Sequence, residues 1–343
     1  MTTTLLSYPR EWKFFAKGNA NAIYRYQGSE EYFQQRVLRL RLSKPSENYI
    51  STLELNDFVK SHCEKYFPEN IIKSELVRLS EDFLSQLETQ NFKLMVSEKY
   101  GFLLDDMLFG NFKSYDLSKN CKLHVKFEEQ NNPESISSVI LELKPKWLYN
   151  NDTNYCRNCS LSQLRKLDRH FCPLDFLSES TIERGLDDLF SKVPKEIFSI
   201  TEADGHFKLR NLLRNYFSHP NNIFQILKSL QVLKTSSDWI CNVKSKEDVS
   251  EQLLFVMTMR DVGIFLKFEK SLQKESNDHL ENKIIDGNVK YITSSFIYDL
   301  DLKPRGKYEH WRNTDLALQT YRNSYDENWR LCTVASQEHS KGK

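Results

Sequence analysis

The chain has 343 residues, 39% of them hydrophobic and 28% charged, enough for a large core and a length that favours two domains or one two-lobed unit. Lys plus Arg (48) nearly equals Asp plus Glu (47), so the whole-chain field does not favour a long polyanion such as duplex DNA, whereas a small anion needs only a local cluster of cations. No stretch approaches the roughly 18–20 apolar residues of a membrane helix, the start MTTTLLSYPREWKFF lacks the zones of a signal peptide, and seven cysteines without an export signal argue for reduced thiols in a soluble intracellular protein.

Three short strands are predicted first, near Trp12 to Ala16, Ala22 to Tyr26 and Arg36 to Leu42. In the third, Val37, Arg39 and Arg41 alternate with Leu38, Leu40 and Leu42, the period of a half-buried strand. The first two are joined by Lys17-Gly18-Asn19-Ala20-Asn21, a turn of small residues. Two helical stretches are expected next, the clearer over Ser74 to Glu88, where Leu76, Leu79, Phe83, Leu84 and Leu87 recur at helical spacing behind a capping serine. Two apolar runs, Tyr100 to Leu104 and Val139 to Leu143, flank a further expected strand carrying Lys122 and Lys126.

The middle third reads as helical. Ser180 and Glu183 fit a capping box opening a helix with the stripe Ile182, Leu186, Leu189, Phe190 and Val193, and further helices are predicted at Phe207 to Phe217 and Asn222 to Leu233. A period of two returns at Phe255, Met257 and Met259, then at Val262, Ile264, Leu266 and Phe268, and a last strand is expected from Tyr291 to Asp301. Between them Lys270 to Gly287 is charged and predicts a mobile loop. Strands, then helices, then strands indicate an α+β protein with a small N-terminal and a larger C-terminal lobe.

Three segments carry candidate chemistry. In Leu141-Glu142-Leu143-Lys144-Pro145-Lys146-Trp147, Glu142, Lys144 and Lys146 would line one face of a strand that Pro145 brings to its end, making either a phosphate cradle or a solvated strand edge. In Tyr298-Asp299-Leu300-Asp301-Leu302-Lys303-Pro304-Arg305-Gly306-Lys307, Asp299, Asp301 and Lys303 would set carboxylates able to hold Mg²⁺ beside a cation able to hold phosphate, the combination phosphoryl transfer asks for; a surface ion-pair ladder has the same spacing. Asp261 interrupts the apolar run Met259-Arg260-Asp261-Val262-Gly263-Ile264, where a carboxylate is costly unless paired or used. The turn Gly18-Asn19-Ala20-Asn21 is neither a Walker loop nor a protein-kinase glycine pattern, though its backbone N–H groups could cover nucleotide phosphates. Cys156, Cys159, His170 and Cys172 give C-x₂-C-x₁₀-H-x-C, a non-standard spacing for which half-buried thiols are expected in preference to a structural zinc.

Read together, the loop before the second strand, Glu142-Leu143-Lys144-Pro145-Lys146, Cys156-Arg157-Asn158-Cys159, Cys172-Pro173-Leu174-Asp175-Phe176-Leu177-Ser178, the Arg260-Asp261 strand and Asp299-Leu300-Asp301-Leu302-Lys303-Pro304 occur in the order of the inositol pentakisphosphate 2-kinases. The chain resembles a fungal-type member of that family from Lys17 to Trp311. The resemblance implies a two-lobed kinase-like fold, lobes 1–105 and 106–343, with ATP in the cleft between them. It implies that Gly18, Asn19, Ala20, Asn21 and Arg39 contact the ATP phosphates and that Asp105, Asp106 and Leu108 form the hinge for adenine and ribose. Lys144, Lys146, Arg157, Arg165, Lys208, Lys303 and Lys307 would hold the inositol phosphates, Lys144 also serving catalysis. Asp261 would take the proton from the reacting hydroxyl and Asp299 would hold Mg²⁺, with Asp261 a second metal ligand. The pattern departs from the family at Leu161, at Gly205 and His206, and at Trp311.

The implied reaction moves the γ-phosphate of ATP to the 2-hydroxyl of inositol 1,3,4,5,6-pentakisphosphate, giving inositol hexakisphosphate in a monomeric protein expected in the nucleus. Two polyanions must meet, so a dense set of Lys and Arg donors is required. A non-catalytic module for inositol phosphates or phosphoinositide headgroups would need the lysines but not the acids. A nucleic-acid binder is disfavoured by the near-zero net charge, and a protein kinase by the lack of H-R-D and D-F-G.

Overall fold

The computed structural model describes residues 6–43, 49–87, 89, 91–128, 135–149, 156–167, 171–198, 207–233, 239–271, 283–286 and 289–321. The chain divides into two units, Met1–Gly110 and Asn111–Lys343. The first unit runs β1 (Trp12–Lys17), β2 (Asn21–Tyr26), β3 (Arg36–Arg41), α1 (Thr52–Phe58), β4 (Ser74–Arg78), α2 (Glu81–Gln86) and β5 (Tyr100–Asp105). Its strands form one antiparallel sheet in the order β1-β2-β3-β5-β4.

Alternation decides which face of that sheet is covered. Leu38 and Leu40 of β3 are fully buried with Ala22 and Tyr24 of β2, the arrangement the period of two requires. At one end Trp12, Tyr26 and Phe33 pack as an aromatic trio with centroids 5.1–5.6 Å apart, and the Trp12 indole N–H donates to Ser7 Oγ at 3.1 Å. The expected helix over Ser74 to Glu88 is corrected. Ser74–Arg78 pairs with β5 as an edge strand, and only Glu81–Gln86 is helical, capped by Ser80 through the Phe83 N–H at 3.1 Å. The apolar spacing straddled a strand and a helix.

The second unit begins with β6 (Phe112–Ser118), β7 (Cys121–Phe127) and β8 (Ile136–Leu143). Helices follow: α3 (Arg157–Leu164), α4 (Glu179–Phe190), α5 (Lys195–Phe198), α6 (Leu209–Ser218), α7 (Ile223–Leu230) and α8 (Glu251–Met259). It closes with β9 (Gly263–Lys270), β10 (Lys283–Asp286), β11 (Val289–Tyr298) and α9 (Tyr308–Tyr321). Its six strands form an antiparallel sheet in the order β10-β11-β9-β8-β7-β6. The strands after the helical segment therefore extend the sheet that the strands before it began, β9 pairing on its β8 edge. Helix α4 buries Ile182, Leu186, Leu189 and Phe190, and the Phe176 ring stacks on Phe217 at 4.4 Å.

Three local expectations change here. The α4 N-cap is Ser178 rather than Ser180, and Glu183, instead of closing a capping box, pairs with Arg210 and Arg214 of α6. Phe255, Met257 and Met259 lie in a helix, and Leu253 and Leu254 before them and Val256 and Thr258 between them are buried as well. An all-round apolar segment carries no period to read. The loop expected from Lys270 to Gly287 contains strand β10, and its residues 272–282 lie outside the described residues. Among the described residues no helix is long and apolar enough to cross a membrane.

Candidate active site

The sheet topology of the second unit decides which loops meet. Strand β8 runs antiparallel to β9, with Leu143 opposite Ile264, and β9 antiparallel to β11, with Gly263 opposite Tyr298. The residues leaving β8, entering β9 and leaving β11 therefore emerge at one end of the sheet. Those three segments hold Lys144 and Lys146, Asp261, and Asp299 and Lys303.

Their side chains form one charged cluster. Lys144 Nζ pairs with Asp299 across 155 residues of sequence. Asp261 is clamped by two ammonium groups, Lys146 at 2.5 Å on one oxygen and Lys303 at 2.5 Å on the other. The two halves act on each other, since Asp261 and Glu142 also stabilise the Lys144 ammonium. Burial alone would push the Asp261 carboxyl up, but Lys303 and Lys146 outweigh it and hold that group well below the ordinary carboxylate range. Burial likewise disfavours the Lys144 ammonium, and Asp299 overcomes it and raises the Lys144 pKa. Lys146 and Asp299 both sit at positive φ (61° and 59°), a conformation costing a non-glycine residue roughly 1–2 kcal/mol and characteristic of residues held for function.

Beneath Lys144 lies a polar chain that the sequence did not announce. Tyr298 Oη donates to Glu142 Oε1 at 2.6 Å, His124 Nε2 lies 3.0 Å from the other Glu142 oxygen, and Ser114 Oγ lies 2.7 Å from His124 Nδ1. Burial raises the Glu142 pKa, and the bonds from His124 and Tyr298 more than reverse it, so the carboxylate is charged and anchored. Burial and the Glu142 charge push the Tyr298 hydroxyl far up, keeping it a proton donor. The Tyr298 ring lies over Gly263, where a Cβ would fall within 2.5 Å of ring atoms, and stacks on Phe265 at 4.7 Å. Only glycine at 263 admits that ring, which in turn stands 5.5 Å from the Lys144 ammonium. Glu142 thus anchors this polar chain and also stabilises the Lys144 ammonium, while Lys146 pairs with Asp261 instead.

The backbone around Lys146 is held by two buried amides. Gln231, at the end of α7, donates to the carbonyls of Lys146 (2.9 Å) and Met259 (3.1 Å) and accepts the Leu148 N–H (2.7 Å). Asn158 of α3 donates to the Trp147 carbonyl at 2.6 Å and accepts the Trp147 N–H at 3.3 Å. The Lys146 and Asp261 segments are thereby tied to one another. Nothing about a glutamine following Leu230 signals this role, since each of its three partners is distant in sequence.

Of the other expected residues of the second unit, one is buried and three are exposed. Arg157 is buried, pairs with Asp315 of α9 at 2.6 Å and lies 3.9 Å over the Trp147 ring. Arg165 is exposed just past α3, Lys208 is exposed at the start of α6, and Lys307 is exposed at the short turn Arg305–Lys307. Gly205 and His206 lie outside the described residues, as does His170. Cys156, Cys159 and Cys172 converge, their sulfurs within 4.8 Å of one another.

In the first unit Gly18 and Asn19 are exposed in the β1–β2 turn, which is closed by the Gly18 N–H on the Asn21 carbonyl at 2.9 Å and tied to β3 by the Leu42 N–H on the Ala20 carbonyl, also 2.9 Å. Arg39 lies 5.9 Å from the Phe102 ring. Asp105 pairs with Arg36 at 3.0 Å; Asp106 pairs with Arg25 at 2.6 Å and accepts the Leu108 N–H at 3.0 Å, so the 105–108 segment is fixed by its own acids.

Comparison with known proteins agrees in kind. A family model described as inositol-pentakisphosphate 2-kinase matches residues 14–317. The inositol-pentakisphosphate 2-kinase of Debaryomyces hansenii is 42% identical over 95% of this chain and 96% of its own length. Those of Saccharomyces cerevisiae and Yarrowia lipolytica are 30% and 26% identical, over 65% and 88% of this chain and 69% and 94% of their own lengths. With a family match that takes in both units and a full-length relative at this identity, the chain belongs to the inositol-pentakisphosphate 2-kinase family.

Proposed function

We propose that the chain transfers the γ-phosphoryl group of ATP to the 2-hydroxyl of inositol 1,3,4,5,6-pentakisphosphate, giving inositol hexakisphosphate and ADP. The observation that carries this reading is the cluster at the sheet end, where Lys144, Lys146 and Lys303 are held by Asp299 and Asp261. Such a site can offset the repulsion between two polyanions, because phosphoryl transfer is catalysed by positioning and by neutralising charge.

In this reading Lys144, Lys146 and Lys303 bind phosphates of the inositol ring, and exposed Arg165, Lys208 and Lys307 extend the attraction to its outer phosphates. Arg157 serves by holding Trp147. The substrate phosphates compete with Asp261 for Lys146 and Lys303. As the clamp loosens, the Asp261 carboxyl rises toward the usual carboxylate range and becomes a better acceptor for the hydroxyl proton. The hydroxyl oxygen bonds to the γ-phosphorus, the bond to the ADP oxygen breaks, and the proton passes to Asp261. Gly18, Asn19, Ala20, Asn21 and Arg39 would hold the ATP phosphates, and Asp105, Asp106 and Leu108 the base and ribose.

The carboxylates of Asp299 and Asp261 are partly exposed oxygen donors on residues already facing cations, a set that suits Mg²⁺, with Asp299 the principal holder. When bound, Mg²⁺ supplies charge neutralisation at the nucleotide phosphates. Action as a monomer and residence in the nucleus belong to the same reading and rest on the family resemblance alone.

The test is incubation with ATP, Mg²⁺ and a panel of inositol phosphates, products being resolved by charge. Conversion of the pentakisphosphate to the hexakisphosphate is expected. Binding of the pentakisphosphate with no ATP-dependent product would overturn the reading in favour of a non-catalytic module.

A further inference from the structure

The polar chain beneath Lys144 crosses the sheet strand by strand. Ser114 stands on β6, His124 on β7 and Glu142 on β8, each within hydrogen-bond distance of the next. Tyr298 on β11 completes it by reaching past β9 to Glu142 at 2.6 Å. A side chain crosses a neighbouring strand in this way only where that strand leaves room, which glycine does. Gly263 is the residue that yields: it pairs with Tyr298, and a Cβ there would fall within 2.5 Å of the ring. Phe265, two residues further along β9 and on the same face, stacks on that ring at 4.7 Å.

Register sets the ring against Lys144. Lys144 follows Leu143, whose partner on β9 is Ile264, and Gly263 precedes Ile264, so Lys144, Gly263 and Tyr298 share one row at the end of the sheet. The ammonium stands 5.5 Å from the ring centroid, inside the roughly 6 Å reach of a cation–π contact. Its other partner, Asp299, is one that changes, since in the proposed reaction Asp299 turns to Mg²⁺ and a phosphate takes the lysine. A neutral ring attracts the ammonium without cancelling its charge, and an incoming phosphate does not compete for it. Lysine carries its charge on a flexible stem, and a side chain held before the substrate arrives loses less freedom on binding.

We propose that Tyr298 is a positioning residue for Lys144, its ring holding the ammonium ready for an inositol phosphate while Gly263, Phe265 and Glu142 hold the ring. The inference rests on the reading of the sheet-end cluster as the inositol phosphate site, and adds to it a residue that acts through Lys144 and not on the reacting atoms. Packing alone would make Tyr298 indifferent to what stands at position 144, and that is the distinction to measure.

The test is a double-mutant cycle on the full-length protein, read by calorimetric titration of inositol pentakisphosphate. Lys144→Met, which keeps a long side chain and removes the charge, should weaken binding by at least about tenfold. Tyr298→Leu should weaken it by about tenfold in the wild-type background and by no more than about twofold in the Lys144→Met background. Tyr298→Phe keeps the ring and should stay within about threefold of wild type. Phe265→Leu removes the stacking partner and should give the Tyr298→Leu pattern at about threefold, which keeps the proposal open to refutation if Tyr298→Leu fails to fold. Wild-type affinity in Tyr298→Leu overturns the proposal, as does an equal loss from either leucine variant in both backgrounds, or a loss in Tyr298→Phe as large as in Tyr298→Leu. Wild-type affinity in Lys144→Met would remove Lys144 as a phosphate ligand and this assignment with it. A loss in Lys144→Met with none in Tyr298→Leu removes this assignment alone and leaves the proposed site standing.

Discussion

Two sets of cations neighbour Trp147, one in sequence and one over its ring, and they are built to opposite specifications. Lys144 and Lys146 keep 28% and 30% of their side chains exposed and pair with single aspartates. Arg157 keeps 6% and Arg260 is buried, their guanidiniums 3.9 Å and 3.7 Å over the same indole. Burial pushes Arg260 down to about 9, and Arg157 adds to it; this pair of like charges is offset by the indole that both approach, by Asp315, and by the Gln231 carbonyl, which accepts from Arg260 at 3.0 Å. In the proposed reading, Lys144 and Lys146 change partners and are partly exposed beside acids they can release, whereas the arginines that hold the Trp147 segment are sealed. Motif spacing alone puts Arg157 and Lys146 in one class, and burial separates them.

The comparison can be broken most directly at the acid. Asp261→Ala should lower kcat by about 10³-fold, within the range for loss of a general base, with KM for ATP and for inositol pentakisphosphate changed only a few-fold. A variant within tenfold of wild type in initial-rate measurements would remove Asp261 from proton transfer. On the sealed side, Gln231→Ala strips partners from buried carbonyls and an N–H and should cost about 2–3 kcal/mol of stability, read as a lower urea midpoint. An unchanged midpoint would mean that the clamp on the Lys146 backbone is ornamental.

Lys303→Ala tests the lysine–aspartate side, where the Lys303 side chain is itself only 11% exposed. It should raise KM for the inositol phosphate about tenfold or more, the worth of one charge-assisted bond, read in initial-rate measurements. It also has a signed pH consequence. Lys303 holds the Asp261 carboxyl low, so its removal raises that pKa and should move the acid limb of kcat/KM to higher pH; a limb that stays in place or moves down would contradict the assignment. The smallest effect belongs to a surface network of the ordinary kind. Bonds from Arg214 and Arg210 hold Glu183 down to about 2, against an ordinary 4.5. A depressed folded pKa stabilises above the unfolded value, and that stabilisation disappears as pH falls from 4.5 toward 2. Since Glu183 is half exposed, Glu183→Gln should cost no more than about 1 kcal/mol at pH 7 and nothing near pH 2, measured by denaturant titration at both pH values.

Much of the frame is legible in the residues, because β2 alternates cleanly, β3 and β9 alternate over most of their length, and Asn222 caps α7 with bonds to two N–H groups. The segment 74–88 defeats the same reading, since its leucines keep one spacing across a strand and a helix, and 255–259 defeats it because α8 is apolar all round. The charged members of the cluster can be picked out as acids and lysines at strand ends, yet their meeting is a property of the sheet. Lys144 and Asp299 become neighbours only because β9 is inserted between β8 and β11. His124, Tyr298 and Gln231 leave no local mark, each being an ordinary residue whose partners are remote in sequence.

The direct measurement is calorimetric titration of inositol pentakisphosphate into the wild type and into the Lys144→Ala, Lys146→Ala, Lys303→Ala triple variant. A site built on these three cations predicts at least about a hundredfold loss of affinity in the variant, with ATP binding retained. Equal affinity in the two proteins would place the inositol phosphate elsewhere and contradict the assignment of the sheet-end cluster.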